Sequence, residues 1–162
     1  MWERVFRGEK ILEIGCGIGL ASLALTMRAQ NVSATDRHPE THGFLSFNTR
    51  LNELPSIPFE RCSWELPESS LGRFDLIIGS DLLYETTSLD PLSRFIDRHA
   101  REVCEVLIVD PNRGLRARFS KSMANVGFLS RPHRKVTDHA CDGYKGSILG
   151  FEREREMVSK PK

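Results

Sequence analysis

Three glycines at alternate positions break an apolar stretch near the start of the chain. The stretch reads KILEIGCGIGL over residues 10–20 and contains Gly15, Gly17 and Gly19. Glycine permits positive φ and close approach of the backbone to a ligand, so the pattern indicates a turn between a strand and a ligand-binding helix. Leu20 stands where the last glycine of a dinucleotide-binding G-x-G-x-x-G motif would be, and no G-K-[ST] of a P-loop follows.

Acidic residues follow three of the later apolar runs. Asp36 ends the second run, Asp81 follows the fourth and Asp110 ends the fifth. In a parallel sheet the carboxyl ends of the strands share one edge, where ligands bind in open α/β folds. Asp36 lies 21 positions after Gly15, close to the offset of roughly 20 residues at which an acid meets a ribose diol. For Asp110, which precedes Pro111, capping of the next turn is an equal alternative.

Strands and helices that would position these residues alternate along the chain. Strands are predicted at residues 10–15, 31–36, 59–64, 74–81 and 105–110, and helices at 18–29, 39–54, 89–103 and 114–128. This alternation predicts βαβ units and a parallel sheet. Strands that are apolar on both faces, such as DLIIG and VLIV, favour helices covering each side. SRPHRKVTD and YKGSILGFERE, with no helix between them, predict an antiparallel hairpin at one edge of the sheet.

The composition is that of an ordinary globular domain with balanced charge. The 162 residues include 23 Lys and Arg against 22 Asp and Glu, so no overall field favours nucleic acid or an anionic membrane. No apolar run approaches the ~20 residues that span a bilayer, and the charged start MWERVFRGEK does not resemble a secretory peptide. The cysteines are isolated, which predicts reduced thiols in a cytoplasmic protein and no metal site. They are Cys16, Cys62, Cys104 and Cys141.

Three segments resemble a known family. VFRGEKILEIGCGIGLASLALTMRAQNVSATD resembles the first two motifs of class I methyltransferases that use S-adenosylmethionine. FDLIIGSDLLYE and VLIVDPNR are similar to the fourth- and fifth-strand motifs of the branch with protein-lysine and nicotinamide N-methyltransferase-like enzymes. The resemblance covers residues 8–151 and implies a Rossmann-like, doubly wound, mostly parallel seven-stranded sheet. It also implies an antiparallel C-terminal hairpin strand and helices on both faces.

The resemblance implies which residues hold the methionine part of the cofactor S-adenosylmethionine. Gly15, Cys16 and Gly17 would pass beneath it. Glu13 would hold its amino end, and Ser80 would flank the sulfur.

The adenosine part has its own set of implied contacts. Asp36 would take both ribose hydroxyls, and Arg37 would border the adenine edge. Trp64 matches a position where this branch places an aromatic ring against adenine, since an indole offers a broad stacking face. A purely structural role for Trp64 is an equal alternative at this point.

Asp81 and Tyr84 form a D-x-x-Y pair just past the fourth strand, and the resemblance assigns them to the reacting amine. Asp81 would receive a cationic amine by charge and hydrogen bond, and Tyr84 would form a wall or a second acceptor. The alternative is that Asp81 caps a helical turn and Tyr84 packs. Arg113, in DPNRG, could help with substrate or pair with Asp110.

The predicted function is therefore an S-adenosylmethionine-dependent N-methyltransferase acting on a protein lysine or a similar amine. A small-molecule methyltransferase and a non-catalytic module that binds a partner are the alternatives. The chain has no N-P-P-Y or D-P-P-Y motif and no basic stripe with aromatics, which argues against a nucleic-acid substrate. The domain is predicted over residues 1–151, with the segment that covers the cofactor in relatives short or missing, and a charged tail over 152–162.

Overall fold

The computed structural model of the protein describes residues 5–66, 69–132, 134–136 and 146–154. In chain order the strands and α-helices are β1 Lys10–Ile14, α1 Leu20–Met27, β2 Asn31–Asp36, α2 Thr41–Leu51, β3 Phe59–Arg61, β4 Phe74–Ser80, α3 Leu89–His99, β5 Ala100–Asp110, α4 Arg116–Asn125, β6 Leu129–Ser130, β7 Arg134–Val136 and β8 Gly146–Arg153. A short 3₁₀ turn at Thr86–Ser88 leads into α3.

The strands form one mixed sheet. Its order is β3-β2-β1-β4-β5-β8, with β6 and β7 pairing in succession along the far edge of β8. The first five strands pair in parallel, and β8 runs antiparallel to β5. Because β6 and β7 share one edge, the sheet has seven positions across, which confirms the predicted fold class. The predicted hairpin is present as β7 paired with β8, and its turn lies outside the described residues.

Helices cover both faces of this sheet, as predicted. Successive residues of a strand point to opposite faces, and the fully buried Ile11 and Leu12 of β1 accordingly join two different apolar clusters. Ile11 packs in the cluster that contains Leu23 of α1 and Leu45 of α2. Leu12 packs in the larger cluster, which contains residues of α3 and α4. Burial on both faces explains why the central strands are apolar throughout.

The junction of α3 and β5 differs most from its prediction. The helix expected over 89–103 ends at His99, and β5 begins at the next residue, Ala100. Pairing with distant strands decides this, since Ala100 pairs with Phe74 of β4 and Cys104 pairs with Arg153 of β8. β8 also runs to Arg153, two residues past the predicted end of the domain, and the tail over 155–162 lies outside the described residues.

Within the described part of the chain, none of the helices has the length and apolar character needed to cross a bilayer. The same residues include no group of three or more His, Cys, Asp or Glu side chains that could hold a metal ion.

Candidate functional site

A cleft opens at the carboxyl ends of the parallel strands. Its volume is about 370 Å³, within the range of small-molecule sites. Its lining comprises Gly15, Asp36, Arg37, Trp64, Glu65, Ser80, Asp81, Leu82, Tyr84, Glu85, Thr87, Ser88 and Pro91. Seven of the ten predicted site residues are among them, because the parallel topology brings the ends of β1, β2, β3 and β4 to one edge.

The glycine turn after β1 forms part of this lining and has a left-handed backbone. Gly15, Gly17 and Gly19 have φ of 60°, 53° and 81°, a region that side chains disfavour. At Gly15 a Cβ would also lie 2.5 Å from Cδ2 of Leu82. At Gly17 a Cβ would meet nothing within 4 Å. The turn therefore needs glycine at position 15 for packing as well as for conformation, and it is open to solvent at position 17.

Asp36 connects the end of β2 to the glycine turn. Its Oδ2 accepts the backbone N–H of Gly17 at 2.9 Å, and its Oδ1 accepts the backbone N–H of His38 at 2.8 Å. A carboxylate has about four acceptor positions, so each oxygen can accept a further hydrogen bond from the cleft. The carboxylate is thus held in place with acceptor capacity to spare for a pair of hydroxyls.

Glu13 and Cys16 lie behind the turn and are not part of the cleft lining. Glu13 is 5% exposed, and its Oε2 accepts hydrogen bonds from the backbone N–H of Ser22 at 2.8 Å and from the Ser22 hydroxyl. Burial raises the pKa of Glu13. The Cys16 thiol packs in the core, and burial raises its pKa to about 12. Glu13 ties α1 to β1, and any contact of Cys16 with a cofactor would come from its backbone.

The side of the cleft near β2 and β3 contains Arg37 and Trp64. Arg37 is exposed, and its carbonyl oxygen accepts a hydrogen bond from Nε of Arg61 at 3.1 Å. Trp64 packs partly against the larger apolar cluster and also lines the cleft. A Cβ on Gly15 would lie 3.8 Å from its Cζ2, so the indole stands beside the glycine turn. Trp64 can therefore pack against the core and face a ligand in the cleft at the same time.

Asp81 begins the loop after β4 in a left-handed conformation, with φ of 54°. Its backbone N–H donates to the carbonyl of Val109 at 2.8 Å. Its carboxylate forms a bidentate ion pair with Arg113, with Nε to Oδ1 at 2.6 Å and Nη2 to Oδ2 at 2.7 Å. The hydrogen bond from Arg113 lowers the pKa of Asp81. The carboxylate is therefore ionised and bound to a guanidinium instead of capping a helical turn.

Tyr84 and Asp110 also differ from their alternative predictions. Tyr84 is 43% exposed and lines the cleft, so it is not a packed core residue. Asp110 is fully buried, and within the described part of the chain neither of its carboxylate oxygens has a hydrogen-bond partner. It therefore caps no turn, and Arg113, which the sequence could pair with Asp110, pairs with Asp81 instead.

Sequence reasoning missed several cleft residues. Leu82 packs beneath the glycine turn and is 4% exposed; the only signal for it is its place directly after Asp81. Thr87, Ser88 and Pro91 come from the 3₁₀ turn and the start of α3. Nothing in their spacing distinguishes them from ordinary helix-start residues, so only the folded structure places them at the site.

The chain is similar in sequence to enzymes that methylate lysine. The family model described as "Lysine methyltransferase" matches residues 3–126. Electron transfer flavoprotein beta subunit lysine methyltransferase of Mus musculus is 31% identical over 111 residues, which cover 67% of this chain and 43% of that protein. Calmodulin-lysine N-methyltransferase of Arabidopsis thaliana is 28% identical over 133 residues, covering 75% and 44%. The chain spans less than half the length of these relatives.

Solved structures share the fold. A TehB-like SAM-dependent methyltransferase from Corynebacterium glutamicum aligns with a TM-score of 0.75 at 18% identity, covering 93% of this chain and 83% of that one. Magnesium protoporphyrin IX methyltransferase from Synechocystis, solved with bound SAM, aligns with a TM-score of 0.72 at 18% identity, covering 91% and 71%. The matching family and these neighbours support S-adenosylmethionine as the cofactor.

Proposed function

The chain belongs to the lysine methyltransferase family, and we propose on that premise that it transfers a methyl group to a lysine side chain of a protein. One observation carries the proposal most directly. A single cleft contains a tethered carboxylate suited to a ribose at one place, Asp36, and an ionised carboxylate suited to an ammonium at another, Asp81.

The residues of the cleft fit S-adenosylmethionine. Asp36 has acceptor capacity for the two ribose hydroxyls, and the left-handed glycines place bare backbone beside the cleft. When bound, the cofactor supplies a sulfonium methyl group, whose bond to sulfur breaks as the amine lone pair bonds to carbon and the displaced electron pair stays on sulfur. This chain holds the cofactor and aligns the amine with its methyl group. Such alignment can lower the activation barrier by on the order of 7–11 kcal/mol.

Asp81 is suited to receive the substrate lysine. Its carboxylate is about half exposed and can form charge-assisted hydrogen bonds with an ammonium. Before transfer the ammonium must give up a proton to free its lone pair. Because the pKa of Asp81 is lowered, the carboxylate is a weak base, so we infer that it orients the amine and that the proton passes on to water. Tyr84 lines the same cleft, and we infer that it forms a wall of the amine site or a second acceptor.

The names of the relatives support a protein lysine as the substrate class. Their names refer to lysines of electron transfer flavoprotein beta subunit, calmodulin and EEF1A. These three proteins are the first candidates to offer to the chain, and a protein lysine is the acceptor that we propose. Cytoplasmic location stays a prediction from the sequence.

The proposal is tested by incubating the chain with methyl-labelled S-adenosylmethionine and each of the three purified proteins, and then with a cell lysate. We expect label on protein lysines, located by mass spectrometry. Label in small molecules alone would support the small-molecule alternative. If millimolar S-adenosylhomocysteine gave no thermal stabilisation, both enzymatic interpretations would be wrong.

Replacing Asp81 by Asn separates binding from transfer. Asp81→Asn should keep the stabilisation by S-adenosylhomocysteine and lower the transfer rate by about 10²-fold, the cost of a reacting group that is no longer held in position. Asp75→Asn is the matched control, because Asp75 is also paired with an arginine, Arg101, but lies outside the cleft. Equal transfer rates in Asp81→Asn and the wild type would contradict the assignment of Asp81.

A further inference from the structure

We propose that Arg113 is a gate on the carboxylate of Asp81, which it holds in competition with the ammonium of a substrate lysine. The inference rests on the proposed function and adds a specificity-determining residue to the same site. Arg113 pairs with the carboxylate that the substrate is proposed to use, so a cation that also carries N–H donors competes with it best.

The ion pair leaves no carboxylate oxygen of Asp81 without a guanidinium donor. Nε of Arg113 lies 2.6 Å from Oδ1, and Nη2 lies 2.7 Å from Oδ2. This is the two-point geometry in which a guanidinium binds a carboxylate most specifically. Asp81 lines the cleft, so a substrate ammonium that approaches it there meets a carboxylate whose charge a guanidinium already balances.

The Arg113 side chain can leave, whereas the backbone of Asp81 is held. The backbone N–H of Asp81 bonds to the carbonyl of Val109, which keeps the end of β4 against β5. Arg113 lies between Asn112 and Gly114, which have φ of 67° and 87°. Its side chain is 49% exposed, so the guanidinium can move into water without opening the core. Exposed pairs of this kind are weak enough for a competitor to replace.

The chemistry of the pair defines what can displace it. A replacement must offer positive charge and N–H donors, as the ammonium of lysine does with three N–H groups. A neutral group lacks the charge, and a trimethylammonium has the charge without any N–H. Each methyl transfer replaces one N–H bond of the substrate nitrogen by an N–C bond, so a fully methylated lysine can no longer compete with Arg113. Amines that carry N–H donors can thus compete with Arg113 for Asp81. Arg113 pairs with Asp81 again once the product has lost its donors.

Displacement of Arg113 can be followed by NMR of the whole chain with ¹⁵N-labelled arginine. The Nε–H signal of Arg113, identified by its absence in Arg113→Lys, is followed during titration with n-butylammonium. We expect this signal to shift toward that of a solvated arginine. Butyltrimethylammonium at the same concentration, with equal charge and no N–H, should leave it unchanged. Arg131, whose Nε–H bonds to Glu152 outside the cleft, provides an internal control signal.

Two results of the titration would overturn the gate. One is an Arg113 signal that does not move with n-butylammonium at molar concentration. The other is an equal shift with both cations, which would show ionic screening in place of donor-specific displacement. A shift restricted to the donor-bearing cation supports the gate even if no protein substrate is found. This separates the gate from the proposed function, which fails if the wild-type chain labels no protein.

Kinetics on a labelled protein substrate give a second readout. Arg113→Gln should lower KM about two- to five-fold, because an exposed ion pair no longer competes with the substrate, while kcat should change by less than KM does. Arg113→Lys should restore part of the wild-type KM. Arg101→Gln, which breaks the ion pair with Asp75 outside the cleft, should leave KM unchanged. A raised or unchanged KM in Arg113→Gln would overturn the gate.

Discussion

Replacing Asp36 by Ala tests the cofactor end of the cleft, because this carboxylate has both a structural and a ligand-binding role. In the free protein it accepts the backbone N–H groups of Gly17 and His38 at 2.9 and 2.8 Å. At about 1 kcal/mol for each hydrogen bond at a half-exposed group, the change should cost about 2 kcal/mol of unfolding free energy. For a chain of this size the melting temperature should fall by about 4–8 °C.

The ligand-binding role is larger. At 100 times its dissociation constant, S-adenosylhomocysteine should stabilise the wild type by about 2.7 kcal/mol, or by about 5–10 °C in melting temperature. Loss of charge-assisted hydrogen bonds to two hydroxyls, about 3 kcal/mol in total, weakens binding by ~10²-fold. At the same ligand concentration the stabilisation of Asp36→Ala should then be only about 0.4 kcal/mol.

The assay is differential scanning calorimetry of each variant with and without the ligand. Glu60→Ala is the matched control, because Glu60 also accepts a backbone N–H, that of Ser70, at 3.0 and 3.1 Å, and lies outside the cleft. It should lose comparable intrinsic stability and keep the full ligand effect. If Asp36→Ala were stabilised by the ligand as much as the wild type, the ribose assignment would be wrong.

Two further predictions concern the core. His99 is 3% exposed, its Nδ1 lies 2.8 Å from the Gly72 carbonyl, and burial lowers its pKa. Below pH 6.5 the unfolded chain therefore binds a proton that the folded chain does not. The unfolding free energy should decrease as the pH is lowered, by up to about 1.4 kcal/mol per pH unit. Urea titrations should show a shallower fall in His99→Asn, and identical pH dependence would refute this. In Gly79→Ala the new Cβ would lie 2.5 Å from Cδ1 of Leu82 and 3.2 Å from the carbonyl oxygen of Ile14, so unfolding in urea should become easier by about 1–3 kcal/mol. An unchanged midpoint would show that Leu82 moves aside freely.

Local patterns were sufficient to predict most of the elements. β2 coincides with its predicted range, and the strands at β1 and β4 each end one residue before their predicted ends. These strands are short runs bounded by glycine or an acidic residue. Their conformation follows from the preferences of residues that are adjacent in the sequence. The junction of α3 and β5 depends on something else. Arg101 to Val103 suit a helix by composition, but the strand pairs on either side of them decide their conformation. Ala100 pairs with Phe74 of β4, and Cys104 pairs with Arg153 of β8, about fifty residues away.

The sequence by itself determined the α/β fold, the glycine turn and the shared edge at which Asp36, Ser80 and Asp81 meet. Chain order and strand polarity are enough for this, because the carboxyl ends of parallel strands must lie together. The directions of the side chains were decided only by the tertiary structure. It buries Cys16, binds Glu13 to Ser22 and brings Arg113 onto Asp81 across 32 positions of sequence. That last contact forms where the loops after β4 and β5 meet, and no spacing rule along the chain encodes which of two nearby carboxylates an arginine reaches.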